Sequence, residues 1–150
     1  MAGLEEEKLE KILNTLKETE DYWNETITNM AKKLSCSSKD VVALQSDVLS
    51  QRQQINEQIK ARSYDLYKMM PKIKSARKQR FEYYAGALSP YATNSSERTK
   101  LIEWDLATLD HKKDILDVHI EFLRESMKVM DNIGFAIKNK ISLYQLTDME

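Results

Sequence analysis

Apolar residues recur at a helical period in three stretches of the chain. In the first, from about Leu4 to Leu34, the residues Leu9, Leu13, Leu16, Trp23, Ile27, Met30 and Leu34 fall at spacings built from three and four, with Glu20 in one slot. Such a period lines one face of a helix. The second runs from about Lys39 to Ala87, and its stripe is Val41, Leu44, Val48, Ile55, Ile59, Leu66, Met69, Ile73 and Ala76. Between them SCSSKD (Ser35 to Asp40) stops one helix and offers Ser38 as the N-cap of the next. Pro71 lies inside the second stretch, where it removes a backbone donor and crowds the preceding turn, so a kink or break is expected there. Gly86 and Ser89-Pro90 end it, residues 86–97 form the one convincing loop, and Ser95 or Ser96 is the expected cap of the third helical stretch.

The third stretch, residues 98–147, is expected to be one helix or a helix pair. Ile102, Leu106, Leu109, Leu116, Ile120, Leu123, Met127, Met130, Ile137, Ile141 and Tyr144 form its stripe, interrupted by Lys113 and by Gly134, where the helix is expected to bend or divide. Trp104, Ile115, Val118, Phe122, Val129 and Ile133 form a second stripe. A helix with two apolar stripes must be covered on two sides, which a monomer explains less well than an oligomer. The expected assembly seam is Leu116, Ile120, Leu123, Met127, Met130, Ile137 and Ile141.

Composition agrees with an all-α chain of long amphipathic helices, assembled as a bundle or coiled-coil-like oligomer. Three glycines and two prolines in 150 residues leave few turns, and 31% of the residues are charged. This length fits a single domain, 1–150. The lone cysteine, Cys36, excludes a disulfide within the chain, and a four-ligand zinc site lacks ligands. No apolar run approaches the ~20 residues that cross a bilayer. The start, MAGLEEEKLE, lacks a signal peptide's basic end and apolar core, so a cytoplasmic protein without membrane association is expected.

Catalytic chemistry finds little footing. His111 and His119 belong to no metal-ligand motif, and with Asp110, Asp114 and Asp117 they read as a solvated face carrying ordinary helix pairs such as Asp110 with Lys113. No phosphate-cradling glycine loop and no nucleophile–base arrangement is present, so no enzyme activity, cofactor or metal is expected.

Charge is informative through its placement. Residues 1–50 carry six basic and ten acidic side chains, residues 51–100 eleven and four, and residues 101–150 six and ten. The excess concentrates in the basic stretch 60–84, and from Leu66 to Phe81 no acidic residue occurs. Lys72, Lys74, Arg77, Lys78 and Arg80 are candidate phosphate contacts, because clustered cations release the counterions of nucleic acids. Tyr83 and Tyr84 are candidate base-stacking partners, which suits a single strand; packing inside the protein is the alternative for both. For the stretch as a whole the alternatives are a solvated helix face and a dock for an acidic protein surface, which would make the chain a helical adaptor.

Two blocks at these positions resemble the UvsY family, the recombination mediators of tailed phages. KSARKQRFEYYAG (Lys74 to Gly86) is similar to the family's basic helix ending in Tyr-Tyr-x-Gly. The block Trp104 to Ile141, with Phe135-Ala136-Ile137-Lys138 near its end, is similar to the family's C-terminal helix. The first sixty residues share only amphipathic helical character, this part is somewhat longer than the family's, and Pro71 has no counterpart in the pattern. The resemblance implies a closed ring, a heptamer in the family, that binds single-stranded DNA without sequence preference. It implies a role in loading a phage recombinase onto strands covered by single-strand-binding protein, in recombination, repair and replication in the host cytoplasm. It carries the family's basic pair onto Lys78 and Arg80, and its assembly helix onto Leu123, Met127, Met130 and Ile137.

Overall fold

The computed structural model describes residues 2–35, 38–86 and 94–148, and among them it contains four helices and no strand. These are α1 (Ala2–Lys33), α2 (Ser38–Ala85), α3 (Ser95–Asp105) and α4 (Ala107–Asp148). Cys36 and residues 87–93 of the expected loop lie outside the described residues. At 1.5 Å per residue α2 is about 72 Å long and α1 about 48 Å, so α2 outruns its hairpin partner. No helix among the described residues is long and apolar enough to cross a membrane.

The apolar stripes meet in one core. Trp23 and Met30 of α1, Val41, Leu44, Val48 and Ile55 of α2, and Leu123, Met130, Ile133 and Ile137 of α4 form a single buried cluster. Polar cross-links fix the register. Trp23 Nε1 donates to Gln58 Oε1 at 2.8 Å, Arg52 pairs with Asp131, and the Lys140 ammonium donates to the Leu34 carbonyl. These pairings run α2 antiparallel to both α1 and α4. A second, smaller cluster of Tyr84, Ile102 and Leu106 ties the C-terminal end of α2 to α3 and the start of α4.

Several local expectations need correction. Pro71 does not end α2, which is one helix from Ser38 to Ala85. The proline is exposed, so the Tyr67 carbonyl that it deprives of a partner can be met by water. Gly134 does not divide α4; the interruption falls at Leu106, whose φ of −97° and ψ of 1° leave helical geometry for one residue. No glycine or proline stands there, while Leu106 is buried in the second cluster, so tertiary packing is the cause. The cap of α3 is Asn94, whose side chain accepts from the Glu97 amide at 2.8 Å, with Ser95 and Ser96 already inside the helix. His119 is buried with its Nδ1 3.1 Å from Glu20 Oε1, which explains the acidic slot in the first stripe, and only His111 stays exposed. Lys113 pairs with Asp117 rather than with Asp110.

The expected assembly seam is core of the single chain. Leu116, Ile120, Leu123, Met130 and Ile137 are buried within it, and Met127 and Ile141 pack on the same core. Of the second stripe, Trp104, Val118 and Val129 remain exposed, Val118 by 69%, whereas Ile133 is buried. Truncating Leu123 to Ala should therefore destabilise the fold by about 2–5 kcal/mol in chemical denaturation. Leu123→Asp should lose helical circular dichroism outright, where a seam residue would release folded subunits.

Candidate nucleic-acid interface

The core stripe of α2 faces α1 and α4 and leaves the flanks of its C-terminal third to charged residues. Lys74, Arg77, Lys78 and Phe81 follow spacings of three, one and three, which places them on one side of the helix. Together with Thr99 and Ile102 of α3 they line an open groove of about 460 Å³. Phe81 is 58% exposed, an aromatic ring standing in water beside three cations.

The two arginines lean toward the acidic residues on either side of the α3–α4 junction. Arg77 Nη2 lies 3.7 Å from Asp110 Oδ2, and Arg80 Nε lies 3.7 Å from Asp105 Oδ2. Long, half-exposed pairs of this kind hold weakly, about 0–1 kcal/mol each, and leave guanidinium N–H groups for a further acceptor. Lys74 and Lys78 are exposed, and among the described residues no carboxylate reaches either within ion-pairing distance. The groove thus offers two ammonium groups without a carboxylate partner among the described residues and the tethered Arg77 guanidinium, while Arg80 lies outside its lining.

The other predicted residues divide. Lys72 is on a different side of α2, in a separate groove with Arg62, Ile12, Leu16 and Lys112, and does not join the cluster. Tyr83 is exposed, but a half-turn or so from Phe81. Tyr84 is only 8% exposed and packs with Ile102 and Leu106, so it is unavailable for stacking on a base as the chain stands. Its hydroxyl donates to Asp105 Oδ2 at 2.6 Å, and its ring meets that of Tyr83 edge-on at 5.0 Å. Phe81, an aromatic beside the basic stretch that is not among the candidate site residues, joins this groove because it lies seven residues after Lys74 and three after Lys78.

Among the described residues no group of three or more His, Cys, Asp or Glu side chains could hold a metal ion. Comparison with protein-family models, curated proteins and solved structures gives no match.

The Asp105 hydrogen bond, followed by burial, raises the Tyr84 pKa above the ordinary 10.0. The folded protein then holds this proton more tightly than the unfolded chain does. The stabilisation is fully present below pH 10 and is lost as pH climbs through the folded value. Urea midpoints should accordingly fall more steeply above pH 10 in the wild type than in Tyr84→Phe, which is less stable at neutral pH but lacks this alkaline component.

Proposed function

We propose that the protein is a single-stranded DNA-binding recombination mediator. In this role it helps to load a phage recombinase onto strands covered by single-strand-binding protein, acting by binding alone and as a homo-oligomer in the host cytoplasm. The observation that carries the proposal is the groove in which Lys74, Arg77, Lys78 and the exposed Phe81 converge. Cations at this spacing suit phosphates, and an open aromatic ring beside them suits an unpaired base, which a duplex does not present. The resemblance of Lys74 to Gly86 and of Trp104 to Ile141 to the mediator family supplies the biological setting.

Self-association belongs to the same proposal, with its surface moved. Since Leu123, Met130 and Ile137 are buried in the chain, subunits join through the apolar residues that α3 and α4 leave outside, Trp104, Val118 and Val129. Repeating the groove in each subunit multiplies weak phosphate contacts into useful affinity.

Lys74→Ala combined with Lys78→Ala should weaken oligo-dT binding and flatten the plot of log K against log salt by about 1.4, since each single-strand phosphate contact contributes about 0.7. Lys72→Ala should change neither by more than roughly twofold, because it lies outside the groove. An unchanged salt slope in the double variant would refute the interface. A wild-type protein with no affinity for oligo-dT at low salt would favour the helical adaptor instead. For assembly, Val118→Asp with Val129→Asp should lower the mass seen by light scattering while helical circular dichroism is preserved.

A further inference from the structure

The exposed face of α2 continues beyond the groove. Lys60, Tyr64, Tyr67, Lys74, Lys78 and Phe81 succeed one another at spacings of four, three, seven, four and three, a repeat that keeps them in one row along the helix. Every member of the row is exposed. Tyr67 is 73% and Tyr64 58% exposed, which leaves most of two neighbouring phenol rings in water. Lys68 Nζ sits over one face of the Tyr64 ring, 4.4 Å from its centre, and brings a cation to this part of the helix. Asp65, the one acidic residue between Lys60 and Phe81, lies a half-turn away from the row and pairs with Arg62 at 3.3 Å.

We propose that Tyr64 and Tyr67 form a second base-stacking platform, and that the row from Lys60 to Phe81 is one continuous track for single-stranded nucleic acid. This rests on the single-strand binding proposed above and extends it to a site that the basic cluster does not contain. The chemistry of the row identifies the occupant. Rings and ammonium groups share the row, Lys60 beside Tyr64 and Tyr67 and then Lys74 and Lys78 beside Phe81, so it offers partners to both the bases and the phosphates of a strand. A second copy of the chain would bring the same lysines against these lysines, and a coiled-coil partner would need aliphatic residues where Lys60, Lys74 and Lys78 stand. From Tyr67 to Phe81 the helix rises about 21 Å, a span of roughly six nucleotides at 3.4 Å each. That length falls within the range of about 4–16 nucleotides covered by single-strand binding surfaces.

The test is fluorescence anisotropy of the full-length protein with labelled dT4 and dT20, comparing wild type, Tyr64→Ala/Tyr67→Ala and Tyr64→Phe/Tyr67→Phe. Both side chains are exposed, so circular dichroism should be unchanged in either variant. The alanine variant should bind dT20 at least about fivefold more weakly. It should bind dT4, too short to bridge the two platforms, within twofold of wild type. The phenylalanine variant should match wild type on both, because the ring and not the hydroxyl carries the contact. Wild-type binding of dT20 that the alanine pair leaves intact would overturn the track while leaving the Lys74/Lys78 groove standing. If the alanine pair instead changes the oligomer's mass with DNA affinity unaltered, a second copy covers this face and the track is wrong. Absence of dT20 binding by the wild type would overturn the track together with the function on which it rests.

Discussion

Leu123, Met130 and Ile137 of α4 share one solvent-free core with Trp23 of α1 and Val41 and Ile55 of α2, and this seam constrains everything else in the molecule. Each such side chain contributes about 1.5–3 kcal/mol by leaving water, far more than any of the surface ion pairs. Closing the seam sets which side of each helix turns inward. For α2 the inward stripe ends in the Tyr84 cluster, so the residues a third of a turn away, Lys74, Lys78 and Phe81, have to face out. The long α2 overruns α1, and the small α3 packs on its far end, which is why the basic groove is bordered by Thr99 and Ile102 rather than by a third long helix.

The helices were legible because their apolar residues are periodic over thirty or more positions, a signal no short-range preference can imitate. The bounds of α1 and α2 agree with that period to within a few residues. What failed was local. Pro71 is a strong breaker by type, yet on an exposed flank of a helix anchored at both ends its missing hydrogen bond is left to water. Leu106 interrupts the helix with no breaker at all, and a propensity argument has nothing there to detect. The two stripes of α4 are distinct in the sequence, but periodicity cannot say which one the chain itself covers. It covers the richer one, and the stripe expected to zip subunits together is the fold's own core.

The basic cluster was legible in its charge and only partly in its geometry. Counting basic residues along sixteen positions finds the stretch, but a helix distributes those positions around its circumference. Lys72 turns to another groove, Arg77 and Arg80 turn toward Asp110 and Asp105, and Lys74 and Lys78 have no carboxylate partner among the described residues. The Tyr-Tyr pair divides the same way, since adjacent residues point about 100° apart: Tyr84 packs and bonds to Asp105, while Tyr83 stays outside. A strand binding here would meet lysines first and aromatic rings beside them, with the arginines held ready by weak acidic contacts.

Lysine acetylation footprinting with saturating oligo-dT tests the central claim most directly, because it reads individual side chains in the intact protein. Lys74 and Lys78 should be strongly protected, while Lys72 in its separate groove and Lys138 on α4 should react as in the free protein. Protection of Lys72 equal to that of Lys78, or bound oligo-dT with Lys74 and Lys78 as reactive as before, would contradict it.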